Sequence, residues 1–177
     1  MIFMRTRQIM LDAVKKLLEK HQIDDITVQD IIDEAGVART TFYKYFTDKY
    51  DIVNAYNMDF IKKNMLNNYN SENYDETFLK FWNFIKENKK FYKNAMKSEN
   101  EEAFTSSFFN YTVNLYEECY KKHHNTDEIS AENKFKIAVM ANTCMFCMKK
   151  WVLENCELST EAVLDCVKNT PHDVYML

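Results

Sequence analysis

Glycine and proline each occur only once in 177 residues. So thin a supply cannot furnish tight hairpin turns or the glycine-rich backbone cradles in which nucleotide folds hold phosphate. Rossmann and P-loop architectures are excluded on that ground, and β-sandwiches and barrels are disfavoured for the same reason. Long apolar runs are missing too. The longest charge-free stretches, residues 103–116 and 137–148, fall short of the roughly 20 residues that a bilayer span needs. The start, Met1-Ile2-Phe3-Met4-Arg5, lacks the apolar core and cleavage site of an export signal. Nor is there an excess of positive charge: 23 Lys and Arg against 27 Asp and Glu give a formal net charge of −4. Any contact with nucleic acid must therefore rest on a local patch. Five cysteines, an odd number scattered through helical patterns, read as reduced thiols in a cytosol, without a membrane partner.

What is present is helix. A hydrophobic share of 46% marks a globular chain, all-α by elimination, long enough for one or two small domains. Ile9, Ala13 and Leu17, with Val14 and Leu18, recur every three to four residues and predict an amphipathic helix over residues 5–20. Asp24-Asp25 breaks it. Thr27, three residues before Asp30, forms a capping-box pattern with Asp in place of Glu and opens a helix through Val28, Ile31, Ile32 and Ala35. Gly36 falls where that helix must stop, a position that favours left-handed backbone. A short helix from Arg39 to Phe46 follows, and Thr47-Asp48 caps a longer one through Ile52, Tyr56 and Phe60. Helix, glycine turn and helix make helix-turn-helix spacing.

Four or five further helices are expected downstream. Phe78, Trp82 and Ile85 mark one, and Phe104, Phe108, Tyr111, Leu115 and Cys119 mark another. A third, over residues 130–155, carries Ile137, Met140, Cys144, Cys147 and Trp151 as a heptad-like seam. Leu158 to Glu161 reads as turn and cap before a last helix through Val163 and Val167. The asparagine-rich residues 64–73 read as a loop between two parts.

The stretch Ile26-Thr27-Val28-Gln29-Asp30-Ile31, continued by Ala35-Gly36-Val37-Ala38-Arg39-Thr40-Thr41-Phe42-Tyr43-Lys44-Tyr45-Phe46-Thr47-Asp48-Lys49, resembles the DNA-binding domain of TetR/AcrR-family transcriptional regulators. The resemblance covers about residues 5–52, under a third of the chain. It implies an all-α dimer, with a three-helix DNA-binding domain at residues 1–48 and a helical domain for effector and partner at residues 49–177. The segment Lys49 to Asn54, with the short C-terminal part, is similar to a subgroup that includes dihydroxyacetone-kinase operon activators. Two positions depart from the family pattern. Ala38 stands where many members have Ser, and Tyr45 where His is common.

The residues themselves support DNA binding. No acidic side chain lies between Val37 and Thr47, whereas Arg39 and Lys44 are basic and Thr40, Thr41, Tyr43 and Tyr45 carry hydroxyls. With Phe42 and Phe46 packed inward, Arg39, Thr40, Tyr43 and Lys44 project toward a major groove wide enough for a helix. Arg39 suits the two acceptors of a guanine edge. Thr27, Tyr43, Tyr45 and Lys49 suit phosphates, which fix register without reading sequence. The resemblance also places Gln29 within reach of a base edge.

Aromatic side chains gather downstream, and Trp82, Phe108 and Tyr111 are the expected lining of an effector pocket, with plain core packing as the alternative. Cys144-x-x-Cys147 has redox-motif spacing but lies mid-helix, where core packing is the simpler reading. Cys119 and His123 share a helix face with no third ligand nearby, so no metal is expected. No H-E-x-x-H, G-x-S-x-G or phosphate-loop pattern occurs, and the chain reads as a non-enzyme without a cofactor. Dimerisation is expected through the helix over 130–155 and the last helix, as a four-helix interface that includes Ala162, Val163, Cys166 and Val167. The heptad-like seam either joins that interface or faces the chain's own core, in which case Phe135, Val139 and Phe146 meet the partner.

The expected function is a cytoplasmic repressor that binds a palindromic double-stranded operator as a homodimer. An unidentified small-molecule effector releases it by moving the helix that starts near Lys49. The alternative is a helical activator or co-regulator whose C-terminal part binds a partner protein.

Overall fold

The period of apolar residues at the N-terminus is realised as helix α1, Ile2–Leu18, in a computed structural model that describes residues 2–63, 74–98 and 101–169. Met10, Leu11, Val14 and Leu18 face inward, whereas Ile9, expected on that face, is 41% exposed. A 3-10 turn at Ile23–Asp25 leads to α2, Val28–Ala35, and then α3, Arg39–Phe42. Lys49–Ile61 forms α4. Beyond it come α5 (Tyr74–Glu87), α6 (Lys89–Met96), α7 (Glu101–His124), α8 (Ala131–Leu153) and α9 (Thr160–Asn169). Among the described residues there is no strand, and no helix is long and apolar enough to cross a membrane. The loop expected at residues 64–73 lies outside the described residues.

Local chemistry sets the helix starts. Thr27 and Asp30 form the capping box in both directions, with the Thr27 N–H donating to Asp30 Oδ2 at 2.7 Å and the Asp30 N–H donating to Thr27 Oγ1 at 3.2 Å. Asp48 accepts from the N–H groups of Tyr50 and Asp51, both at 2.8 Å, and Asp51 reaches back to the Thr47 N–H at 2.9 Å. Helix α4 buries Ile52, Val53, Asn54, Ala55, Asn57, Met58 and Ile61, a set that covers nearly its whole circumference. It packs between α1 and α7, so it links the N-terminal helices to the rest of the chain. The ion pair of Arg7 with Asp59 ties α1 to α4. The Tyr92 hydroxyl donates to Asn57 at 2.6 Å and ties α6 to α4, and burial holds that phenol well above its ordinary range.

Lys49, expected at a phosphate, gives two of its three donors to the backbone carbonyls of Ile23 at 2.8 Å and Ile26 at 3.0 Å. The Ile23 oxygen also accepts from the Ile26 N–H at 3.3 Å, and a flexible cation bonds both oxygens at once.

In the remainder α7 packs on α8, α5 on α9, and α6 on both α1 and α8. The inward stripe of α8 is Ile137, Ala141, Met145, Met148 and Val152, with Trp151 beside it. The expected seam is therefore rotated: Met140 is 52% exposed and Cys144 and Cys147 are half-buried. Trp82, expected in a pocket, is core, 5.3 Å from the Phe78 ring and 5.2 Å from the Trp151 ring. Tyr111 is occupied elsewhere, donating to Asp51 at 2.8 Å, and burial with that carboxylate pushes its phenol up to about 12. Val163, expected at the dimer interface, lies on the inward stripe of α9 with Thr160 and Leu164 and belongs to the chain's own core.

Burial pushes the thiols of Cys119 and Cys144 up to about 11, and none of the five cysteines is in a disulfide. Among the described residues no three His, Cys, Asp or Glu side chains converge to hold a metal ion.

Two outcomes follow. At neutral pH a thiol-alkylating reagent should modify Cys119 and Cys144 more slowly in the folded chain than in urea, as peptide mapping would reveal. Replacement of Lys49 by Met should lower the urea midpoint by the equivalent of about 1–2 kcal/mol, the cost of leaving two part-buried carbonyls without their charged donor. An unchanged midpoint would show that the ammonium holds nothing in place.

Candidate nucleic-acid interface

The reading surface is built on the turn between α2 and α3. Gly36 adopts φ 64° and ψ 36°, and the Val37 N–H donates back to the Ile32 carbonyl at 3.2 Å, ending α2. A Cβ added there would meet nothing within 4 Å, so backbone conformation rather than space calls for glycine. Ala38 then starts α3 with no side-chain cap. The helix is shorter than the sequence pattern predicts. After Phe42 the bonds tighten, with Lys44 N–H to Thr41 at 3.2 Å and Tyr45 N–H to Phe42 at 2.9 Å, so residues 43–45 form a turn. Phe42 and Phe46 are buried and hold this segment against the N-terminal core, their rings 5.7 Å apart.

That anchoring leaves Arg39, Thr40, Tyr43 and Lys44 exposed, together with Gln29 of α2. Three of them are joined. Arg39 Nη1 donates to Gln29 Oε1 at 3.1 Å, Arg39 Nη2 to the Tyr43 hydroxyl at 3.4 Å, and the guanidinium lies 5.5 Å from the Tyr43 ring centroid. Gln29 Nε2 in turn donates to Asp33 at 2.8 Å. Arg39 is thus oriented before any DNA arrives, and its neighbour is an amide that can itself contact a base edge.

Other expected contacts are less available. The Thr27 hydroxyl donates to Asp30 at 2.6 Å, as its N–H also does, so both its donors serve the cap. These bonds, the hydroxyl's first, hold the Asp30 carboxyl below its ordinary range. Thr41 and Tyr45 are half-buried, the Tyr45 ring 6.3 Å from that of Phe46. Lys49 is committed to the two carbonyls described above. Asp33 was not singled out from the sequence, although its place four residues after Gln29 is the signal for such a bond.

A second feature lies in the C-terminal body. A cavity of about 350 Å³ opens between α6, α7 and α8. Phe108 lines it, but Trp82 and Tyr111 do not. On α8, Phe135, Val139 and Phe146 are 72%, 50% and 67% exposed, and Phe146 also lines the cavity. On α9, Cys166 and Val167 are exposed and Ala162 is half-buried.

Residues 10–56 match the family model for bacterial regulatory proteins of the tetR family, and residues 72–172 match TetR_C_8, a transcriptional regulator C-terminal region. Among solved structures the chain is similar to the dihydroxyacetone kinase operon activator DhaS, at 23% identity over 93% of each chain with a TM-score of 0.58. It is also similar to the fatty acid degradation regulator FadR from Bacillus halodurans, at 18% identity over 90% of this chain and 94% of that one, with a TM-score of 0.59. Both likenesses show the fold. No curated protein matches the chain. With the helix-turn-helix and the larger helical body each matched by a model of the same family, the chain belongs to the TetR family of transcriptional regulators.

Proposed function

We propose that this regulator is a repressor that binds a palindromic operator as a homodimer, reading bases through Arg39 and Gln29. The observation that carries the reading is the joined, exposed pair itself, with Arg39 on an acid-free segment, Gln29 on α2, and Tyr43 beside the guanidinium. A guanidinium fork matches guanine O6 and N7, and the amide of Gln29 matches adenine. Thr40, Tyr43 and Lys44 are assigned to phosphates and flanking base edges, which position the helix. Residues 1–48 then serve DNA, and residues 49–177 serve dimerisation and effector binding.

Dimerisation is assigned to α8, through Phe135, Val139 and Phe146, extended by Ala162, Cys166 and Val167 of α9. Exposed phenylalanines aligned on one helix are costly to leave in water, and a two-fold axis covers the same patch on both copies. Two copies present two α3 segments, whose half-sites on B-DNA lie about 34–36 Å apart. An effector that shifts α4 in either copy changes that separation and releases the operator.

Three measurements bear on this. Arg39→Ala should cost about 1–3 kcal/mol per half-site on a duplex selected from random DNA and should flatten discrimination against a changed base pair. Lys44→Ala should weaken selected and scrambled duplexes alike and lower the salt slope by about one per site. Equal losses on both duplexes for Arg39→Ala would assign it to positioning alone. In sedimentation, the wild-type chain should be a dimer at micromolar concentration and the Phe135→Asp, Phe146→Asp double variant a folded monomer. A monomeric wild type would overturn the assigned interface.

A further inference from the structure

We infer that the cavity between α6, α7 and α8 takes an amphiphilic anion, an apolar body ending in one carboxylate or similar group. We infer also that Ser98 passes its occupancy to the DNA-binding helices. The inference deepens the effector reading above and rests on it only for the final link to operator release.

The walls dictate the ligand class. Met96, Phe108, Met145, Phe146, Met148 and Leu153 supply an apolar surface, and methionine side chains adapt to an irregular or flexible partner. At the rim stand Asn142, Lys149 and Lys150, and among the described residues no Asp or Glu lines the cavity. Lys150 donates to Glu154 at 2.6 Å, outside the lining, but an ammonium carries three donors and keeps two for a ligand. An apolar floor beneath two cations and an amide favours a molecule with a hydrocarbon body and one negative end, and disfavours a cation. The volume of about 350 Å³ lies near the lower end of the range for small-molecule sites, about 300–1,000 Å³, which points to a compact ligand.

Position supplies the second half. Ser98 lines the cavity, and its hydroxyl donates to Asp24 Oδ1 at 2.7 Å. Asp24 lies in the 3-10 turn whose Ile23 carbonyl accepts from Lys49. Four residues before Ser98, Asn94 Nδ2 donates to the Leu18 carbonyl at 2.8 Å, at the end of α1. The C-terminal end of α6 therefore touches the cavity on one side and the DNA-binding helices on the other. A ligand that displaces Met96 and Ser98 pulls on the turn that positions both α2 and the start of α4. Its effect is set by how differently it binds the two arrangements.

The test uses three probes with one chain and different heads: decanoate, decanol and decyltrimethylammonium, each below its micelle threshold. Titration calorimetry on the full chain should give decanoate at least tenfold tighter binding than decanol, and no saturable binding of the cation. The Lys149→Met, Lys150→Met double variant should bind decanoate and decanol equally. Equal affinities in the wild type, or no binding of any probe, overturn the ligand class. Asp24→Ala, which removes the acceptor of Ser98 from outside the cavity, should keep the decanoate affinity. In the wild type, decanoate should change amide hydrogen exchange across residues 23–28, and in Asp24→Ala it should not. A change that persists in the variant overturns the role of the Ser98–Asp24 bond. Neither readout involves DNA. Decanoate binding in a chain that binds no duplex would therefore sink the regulator reading and leave the cavity assignment standing.

Discussion

A single ammonium group joins the start of α4 to the N-terminal helices. Lys49 begins α4, and its bonds to the Ile23 and Ile26 carbonyls fix that beginning against the 3-10 turn and the cap of α2. Without that donor, the Ile26 oxygen would have to find water and the Ile23 oxygen would keep only the Ile26 N–H at 3.3 Å. Asp48 and Asp51 cap the same helix, and the Tyr111 hydroxyl braces Asp51 from α7. The start of α4 is thus gripped from the N-terminal helices and from the body together, so the reading surface cannot tilt without disturbing this knot.

The body that does the gripping is held by aromatic contacts rather than by ion pairs. The rings of Phe60 and Phe84 stack at 3.6 Å, Tyr56 lies 4.7 Å from Phe91, and Trp82 meets Trp151 edge to face. Such pairs add to the hydrophobic gain of burial and fix orientation as well as distance. The ion pairs Lys80–Glu76, Lys136–Glu132 and Lys150–Glu154 lie on exposed helix faces, where the contribution of each is small.

What the sequence revealed in advance was whatever depends on neighbours in the chain. The Thr27–Asp30 box, the left-handed Gly36, the cap at Asp48 and the inward turn of Phe42 and Phe46 are all decided within four residues, and each stands as the pattern indicates. What distant contacts decide was harder to read. The reach of Lys49 crosses more than twenty positions, and nothing beside it in the sequence marks its acceptors. On α8, apolar residues occur on several faces, so periodicity alone could not choose between the Met140 and Ala141 stripes, and packing against α6 and α7 made the choice. Helix α6 has no side-chain cap and is rich in lysine, which hid it despite its contacts on both sides. Trp82 has the spacing of both a core residue and a pocket residue, and only its neighbours show that it is core.

The bonds that tie Arg39 to Gln29 and Tyr43 bear on the search for a site as well as on the reading of it. A protein sliding along DNA is held by phosphates and meets far more wrong base pairs than right ones. On the base-reading role proposed for Arg39, the guanidinium would meet each wrong pair with an acceptor of its own already at 3.1 Å. An edge that offers two aligned acceptors would then compete with that internal partner, and specificity would be the difference between the two.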